Sequence, residues 1–154
     1  MRYSVFSAGP SFYVIPIKQV QEFDFEFKMS PVPYSDKRIE GVSSLRGRII
    51  TVVNLRNCLE IESNNLPKRR KMLVLDTVQL CREYEAFDAR FSKDLIGIVV
   101  DRIEGIVDLD LKKSDVDIDS SSKGKYIEGV VNHEDKVLNL LSFPSIIKDI
   151  YKGQ

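Results

Sequence analysis

Apolar residues along this chain recur mostly with period two, or in short runs of four to six, which is strand behaviour. Phe12 to Val20 is apolar-rich, and Phe23, Phe25 and Phe27 alternate with Asp24 and Glu26. Ile49 to Leu55 and Met72 to Leu75 are compact branched runs of the core-strand kind. Leu95 to Val100, Gly105 to Leu111, Tyr126 to Val131 and Lys136 to Leu141 continue the series. Glycine and proline punctuate it at Gly9-Pro10, Pro31, Pro33, Gly47, Gly105, Gly124 and Gly129. Many short strands at intervals of about 8 to 12 residues predict a barrel or sandwich. Helix is minor. Leu55 to Glu60 has room for one turn or two. Ser142 to Tyr151 reads as a terminal helix, with Ser142 as N-cap, Pro144 in the first turn and Gly153 past the end. Ile146, Ile147 and Ile150 share one of its faces. The most loop-like stretches are Glu62 to Lys71, Arg82 to Lys93 and Asp119 to Lys125.

No sequence repeat emerges, but two halves do. Gly47 and the apolar run to Val53-Asn54-Leu55 end one unit near residue 61. Gly129-Val130-Val131 through Leu138-Asn139-Leu140-Leu141 ends the other in a looser version. Each joins a glycine-bearing turn and an apolar strand to a short helix, which suits two small barrels better than one large one.

Composition narrows function by exclusion. At 154 residues the chain fits one domain or two small ones and buries a core without staples. Twenty-three basic and twenty-three acidic residues leave a formal charge of zero, against the net basic field of a dedicated nucleic-acid binder. A single histidine weighs against acid–base catalysis. Two cysteines, Cys58 and Cys81, make no disulfide framework, and no apolar run approaches the ~20 residues a bilayer needs. A reducing cytoplasm is the expected compartment.

Each chemical motif has a plainer reading beside it. His133, within Asn132-His133-Glu134-Asp135, reads as a solvated imidazole in a hairpin turn rather than a base. No zinc-binding spacing surrounds it or the cysteines. Asp115 to Asp119 starts like a calcium loop, but Ser120 and Tyr126 occupy the places of the required glycine and glutamate. The alternation there is that of a half-buried strand. Lys68-Arg69-Arg70-Lys71, the one basic cluster, reads as a solvated loop, with no aromatic residues interleaved in sequence. No catalytic residue, metal ligand or cofactor site is nominated.

Most information lies in Pro31 to Arg56, above all Gly41-Val42-Ser43-Ser44-Leu45-Arg46-Gly47-Arg48 and Val53-Asn54-Leu55-Arg56. A Leu-Arg-Gly turn between apolar strands sets one guanidinium at a defined edge. Its planar fork suits an internal ion pair or a partner's carboxylate equally.

This stretch resembles the CheW-type chemotaxis coupling (adaptor) proteins, whose pattern residues 41 to 56 largely follow. Tyr3 to Phe6, Ile15 to Glu22, Ile96 to Glu104 and Tyr126 to Gly129 resemble further family segments in the family's order. The resemblance implies a mainly β fold of two intertwined five-stranded SH3-like barrels with a short C-terminal helix. It divides them at roughly residues 16–75 and 76–150, with the N-terminal strand joining the second. It also implies a non-enzymatic adaptor, without cofactor or metal, at cytoplasmic membrane-bound receptor arrays but not inserted in the membrane. Its partners would be the regulatory domain of a CheA-type histidine kinase and the cytoplasmic tips of chemoreceptors (methyl-accepting chemotaxis proteins). Carried over by motif position, Val20, Glu22, Gly41 and Arg46, with Ile103 and Gly129, fall where family members contact partners. Leu45, Gly47 and Arg56 fall at the structural turn. Val20 and Ile103 would anchor a helix in an apolar groove, while Glu22 and Arg46 orient it.

The chain departs from the family pattern at Ser44, Thr51 and Asn54, where asparagine, proline and aspartate are usual. Ser142 or Phe143 stands near the terminal helix where aspartate is common, and the Leu80 to Asp94 loop is long. If Asn54 replaces an acid that pairs with Arg56, Arg56 is expected to be freer. Two rival readings are an adaptor of another CheA-type pathway, such as surface motility, and a small β-barrel binding nucleic acid through Lys68 to Lys71.

Overall fold

The computed structural model describes residues 1–33, 36–62, 65–83, 95–111, 116–117 and 124–152. In chain order the strands begin with β1 (Arg2–Ala8), β2 (Ser11–Pro16), β3 (Val20–Asp24) and β4 (Met29–Pro31). They continue with β5 (Ile39–Leu45), β6 (Arg48–Asn54), β7 (Lys71–Leu75) and β8 (Leu95–Val100). The last are β9 (Arg102–Asp108), β10 (Val116–Asp117), β11 (Ile127–His133) and β12 (Lys136–Leu141). Helices α1 (Leu55–Cys58), α2 (Thr77–Glu83) and α3 (Phe143–Lys152) complete the described fold. Of these, α2 falls where no helix was expected. Of the Asp115–Asp119 run only residues 116 and 117 are described, as β10; residues 84–94 and 119–123, within the expected loops, lie outside the described residues.

The strands assemble into two six-stranded sheets, ordered β10-β11-β12-β2-β1-β9 and β3-β7-β8-β6-β5-β4. The sixth strand of each is a short edge piece, β10 or β4, added to the expected five. Pro31 closes β4, and a residue with no N–H suits a sheet edge. The chain is intertwined as expected. It starts in the first sheet, crosses to the second after Pro16, and returns at Asp101. Pro16 ends the β2 ladder opposite Tyr3, and a single 3-10 turn, Ile17–Gln19, makes the crossing. The stretch from Ile15 to Glu22 is therefore two strands in different sheets. Sheet membership also changes later than residue 75, because β8 pairs parallel with β6 and antiparallel with β7.

Three apolar clusters follow from strand alternation. Met72 and Val74 face a core enclosed by the second sheet, with Ile50, Val52, Leu95 and Val99. Leu73 and Leu75 face the opposite way, into a central cluster with Phe6, Ile15, Ile96 and Ile98. Tyr3, Val5, Val14, Val131 and Leu138 form the core of the first sheet. With both faces covered, β7 and β8 read as continuous apolar runs rather than alternating ones. Ile146, Ile147 and Ile150 of α3 enter the central cluster, as the helical spacing predicted, and Phe143 joins them. Ser142 Oγ accepts a hydrogen bond from the Ser145 amide at 3.4 Å, in the expected cap position.

The two halves share a hairpin design. β5 and β6 are joined by Arg46-Gly47 with φ of 51° and 77°; β11 and β12 by Glu134-Asp135 with φ of 47° and 64°. Two-residue loops with both φ positive match the right-handed twist of the flanking strands. The strands β5 and β11 each shift register within an Ile-Glu-Gly stretch, at Ile39 to Gly41 and Ile127 to Gly129. Four shared residues, Ile-Glu-Gly-Val, are too few to register as a repeat. Each hairpin then runs through a capping residue, Asn54 or Ser142, into a helix.

Candidate functional site

The Arg46-Gly47 turn stands out from the second sheet, with Leu45 opposite Arg48 at its base. Arg46 is 73% exposed in its side chain, and its Nη1 donates to Glu22 Oε2 at 2.9 Å. Two of the expected partner-contact residues are thus brought together as an ion pair. Leu45 packs with Phe27 and Met29 against the second sheet's core, so the turn is fixed from beneath.

Glu22 reaches this turn because β3 is bulged. Val20 pairs with Leu75 and Glu22 with Val74, so two residues of β3 oppose one step of β7. Val20 and Phe23 consequently pack on the central cluster, while Glu22 lies opposite Val74, which faces the other core. Period-two reading would put Val20 and Glu22 on one face. The bulge separates them.

Ile103, on β9, is partly buried and packs on the same central cluster as Val20. Gly41 is buried in β5, and a Cβ there would lie 2.4 Å from the Ser30 carbonyl oxygen. Only glycine lets β4 pass this close. Gly129 is buried in β11, across the first sheet from β9, with β12, β2 and β1 between. It is not grouped with the others.

Arg56 overturns the expectation that it is freer. It lies buried in α1, and its Nε and Nη2 donate to Asp101 Oδ1 and Oδ2 at 2.9 and 2.6 Å. Its Nη1 donates to the Glu62 carbonyl at 2.5 Å. The hydrogen bonds from Arg56 to Asp101 raise the guanidinium pKa, so its charge is fixed. The pair floors a cleft of about 530 Å³ rimmed by Ser7, Phe12, Glu62 and Glu104. Asn54, the departure that prompted the expectation, has its own tasks. Its Oδ1 accepts from the Asn57 amide at 3.0 Å, capping α1, and its Nδ2 donates to Glu40 Oε1 at 2.5 Å.

Several ordered groups escaped the sequence reading. Arg70, within the basic cluster, donates to both Glu40 oxygens at 2.6 and 2.7 Å, so that part is not a solvated loop. Burial pushes the Glu40 carboxyl up, but the bonds from Arg70 and Asn54 outweigh it and hold the group below its usual range. Arg38 grips Asp36 through two bonds at 2.7 and 2.9 Å and reaches Tyr126 Oη at 2.8 Å. Tyr126 Oη donates in turn to Asp149 Oδ2 on α3 at 3.1 Å. This chain of contacts ties the approach to β5 to the terminal helix. Arg70 lies 30 positions from Glu40, and Tyr126 lies 88 from Arg38, so neither contact carries a local signal. His133 sits at the base of the second hairpin, as expected. Among the described residues, no three His, Cys, Asp or Glu converge to hold a metal ion, and no helix is long and apolar enough to cross a membrane.

Two small β-sheets sharing a central core, each with a tight two-residue hairpin, define a fold of the SH3-like kind. The chain belongs to the CheW family: the CheW-like domain model matches residues 2–151. It is 32% identical over 123 residues to the chemotaxis protein CheW of Thermotoga maritima, covering 79% of this chain and 71% of that protein. It is 26% identical over 101 residues to Protein PilI of Pseudomonas aeruginosa, covering 66% of this chain and 49% of that protein, about half its length. In fold it is similar to the crystal structure of the scaffolding protein TtCheW from Thermoanaerobacter tengcongensis. That match has a TM-score of 0.74 and 20% identity, over 92% of this chain and 88% of the other.

Proposed function

We propose that this chain is a non-enzymatic adaptor that couples the cytoplasmic tips of chemoreceptors to the regulatory domain of a CheA-type histidine kinase. The observation that carries the reading is the Glu22–Arg46 pair, held on a type I′ turn at the surface of a CheW-family fold. A guanidinium so exposed and so rigidly based can trade its internal partner for a carboxylate on another protein with little loss. Val20 and Ile103, half-buried on the central cluster, would supply the apolar anchors. Gly41, Leu45, Gly47 and Arg56 would hold the surface in shape, and Gly129 would belong to a separate face. Placement in receptor arrays follows from such a role, with weak individual contacts strengthened by multivalency.

The Arg46→Glu variant tests this. An exposed pair contributes under about 1 kcal/mol, so the variant should melt like the wild type. Binding to the kinase domain or to a receptor-tip fragment, measured by calorimetry, should be lost for one partner. A wild-type chain that binds neither a CheA-type regulatory domain nor a receptor tip from its own cell would overturn the proposal. The likeness to Protein PilI supports a second reading, an adaptor in another CheA-type pathway such as surface motility. Preference for that pathway's kinase in the same titration would decide for it.

A further inference from the structure

A second surface lies on the second sheet beside the basic cluster. A cleft of about 470 Å³ there has Phe25, Phe27 and Met29 on one side and Lys68, Arg69 and Arg70 on the other. Although no aromatic interleaves with the cations in sequence, the β3–β7 pairing sets them side by side. Lys71 Nζ lies 5.5 Å above the Phe25 ring centre. Phe25 is 52% exposed, beyond the end of β3, and stacks on Phe23 with ring centres 6.5 Å apart. Phe23 is packed on the central cluster and Phe27 and Met29 on the second sheet's core, so the apolar floor is rigid. Arg70 is held by Glu40, which anchors the basic segment. Lys68 and Arg69 are exposed and, among the described residues, make no ion pair.

A rigid exposed aromatic beside two such cations calls for a ligand carrying apolar side chains and carboxylates together. A nucleic acid fits less well. Glu26 lines the cleft itself, Asp24 precedes Phe25, and with Arg70 committed to Glu40 the remaining Lys68, Arg69 and Lys71 fall short of the row of phosphate contacts such binding uses. We propose that this cleft docks an acidic peptide segment of a protein partner, its apolar side chain on Phe25 and Phe27 and its carboxylates against Lys68 and Arg69. The proposal does not depend on the kinase and receptor reading above.

The test is fluorescence anisotropy of the intact chain with a labelled acidic peptide, acetyl-Glu-Glu-Phe-Leu-Glu-Glu-amide. A lysine-for-glutamate counterpart and an oligothymidylate of about ten nucleotides serve as comparisons. Saturable binding of the acidic peptide alone is expected. It should weaken about tenfold in Lys68→Glu/Arg69→Glu and in Phe25→Ala, and fall with rising salt. The charge-reversed variant alters exposed side chains only, and its melting curve should overlay the wild type. Absence of saturable binding, affinity unchanged in the charge-reversed variant, or tighter binding of the oligonucleotide would overturn the proposal.

Discussion

Arg56 and Asp101, 45 positions apart, meet as a buried two-pronged ion pair with N–O distances of 2.9 and 2.6 Å. Asp101 also accepts from the Gly9 amide at 2.9 Å, so one carboxylate joins α1, the β1–β2 turn and the point where the chain changes sheet. Removing one member of such a pair leaves the other buried and uncompensated. Asp101→Asn should therefore lower the unfolding free energy by about 3 to 5 kcal/mol. Urea denaturation would register this as a lower midpoint at unchanged slope.

Acid should destabilise the protein from a defined point. Glu40, Asp36 and Asp149 all have carboxyls held below their ordinary values of 4.5 and 3.8. For Asp36 the cause is the Arg38 hydrogen bonds; for Asp149 it is Lys125. Because the folded pKa values are depressed, the unfolded chain takes up protons first as pH falls. The stability these groups contribute is complete above the unfolded values and is lost as pH drops through the folded ones. Melting temperature should hold between about pH 7 and pH 5 and decline below about pH 4.5. Glu40→Gln should make that decline shallower.

Gly41→Ala should destabilise through the backbone of β4. The new methyl would sit 2.4 Å from the Ser30 oxygen, which β4–β5 pairing holds in place through Met29, Ser30 and Pro31. Relieving such an overlap costs about 1 to 3 kcal/mol. Amide exchange should accelerate at Val42 and its neighbours along the displaced edge. Any loss of partner binding in this variant would then be indirect.

The two cysteines should differ in reactivity. Burial pushes the Cys58 thiol up to about 12, so almost none is thiolate at neutral pH. Cys81, on α2, is partly exposed. N-ethylmaleimide should label Cys81 in the native protein and reach Cys58 only on unfolding, as read by mass spectrometry of the digested chain.

Much of this was legible along the chain because it is set within a few residues. Period-two alternation marked most of the core strands, and the spacing of Ile146, Ile147 and Ile150 marked the buried face of α3. Arg46-Gly47 and Glu134-Asp135 carried their turns in local chemistry. The short helix α2 went unread, because its two buried side chains, Thr77 and Leu80, make too brief a stripe. The family pattern named Glu22 and Arg46 separately.

Only the tertiary structure paired them, because a bulge at Gln21 turns Glu22 away from Val20 and toward a hairpin 24 positions on. It likewise gave Arg56 to Asp101 and set Phe25 beside the basic cluster. Backbone torsions and side-chain period are local quantities that sequence can carry. Which strands pair, and in what register, depends on how three cores close at once.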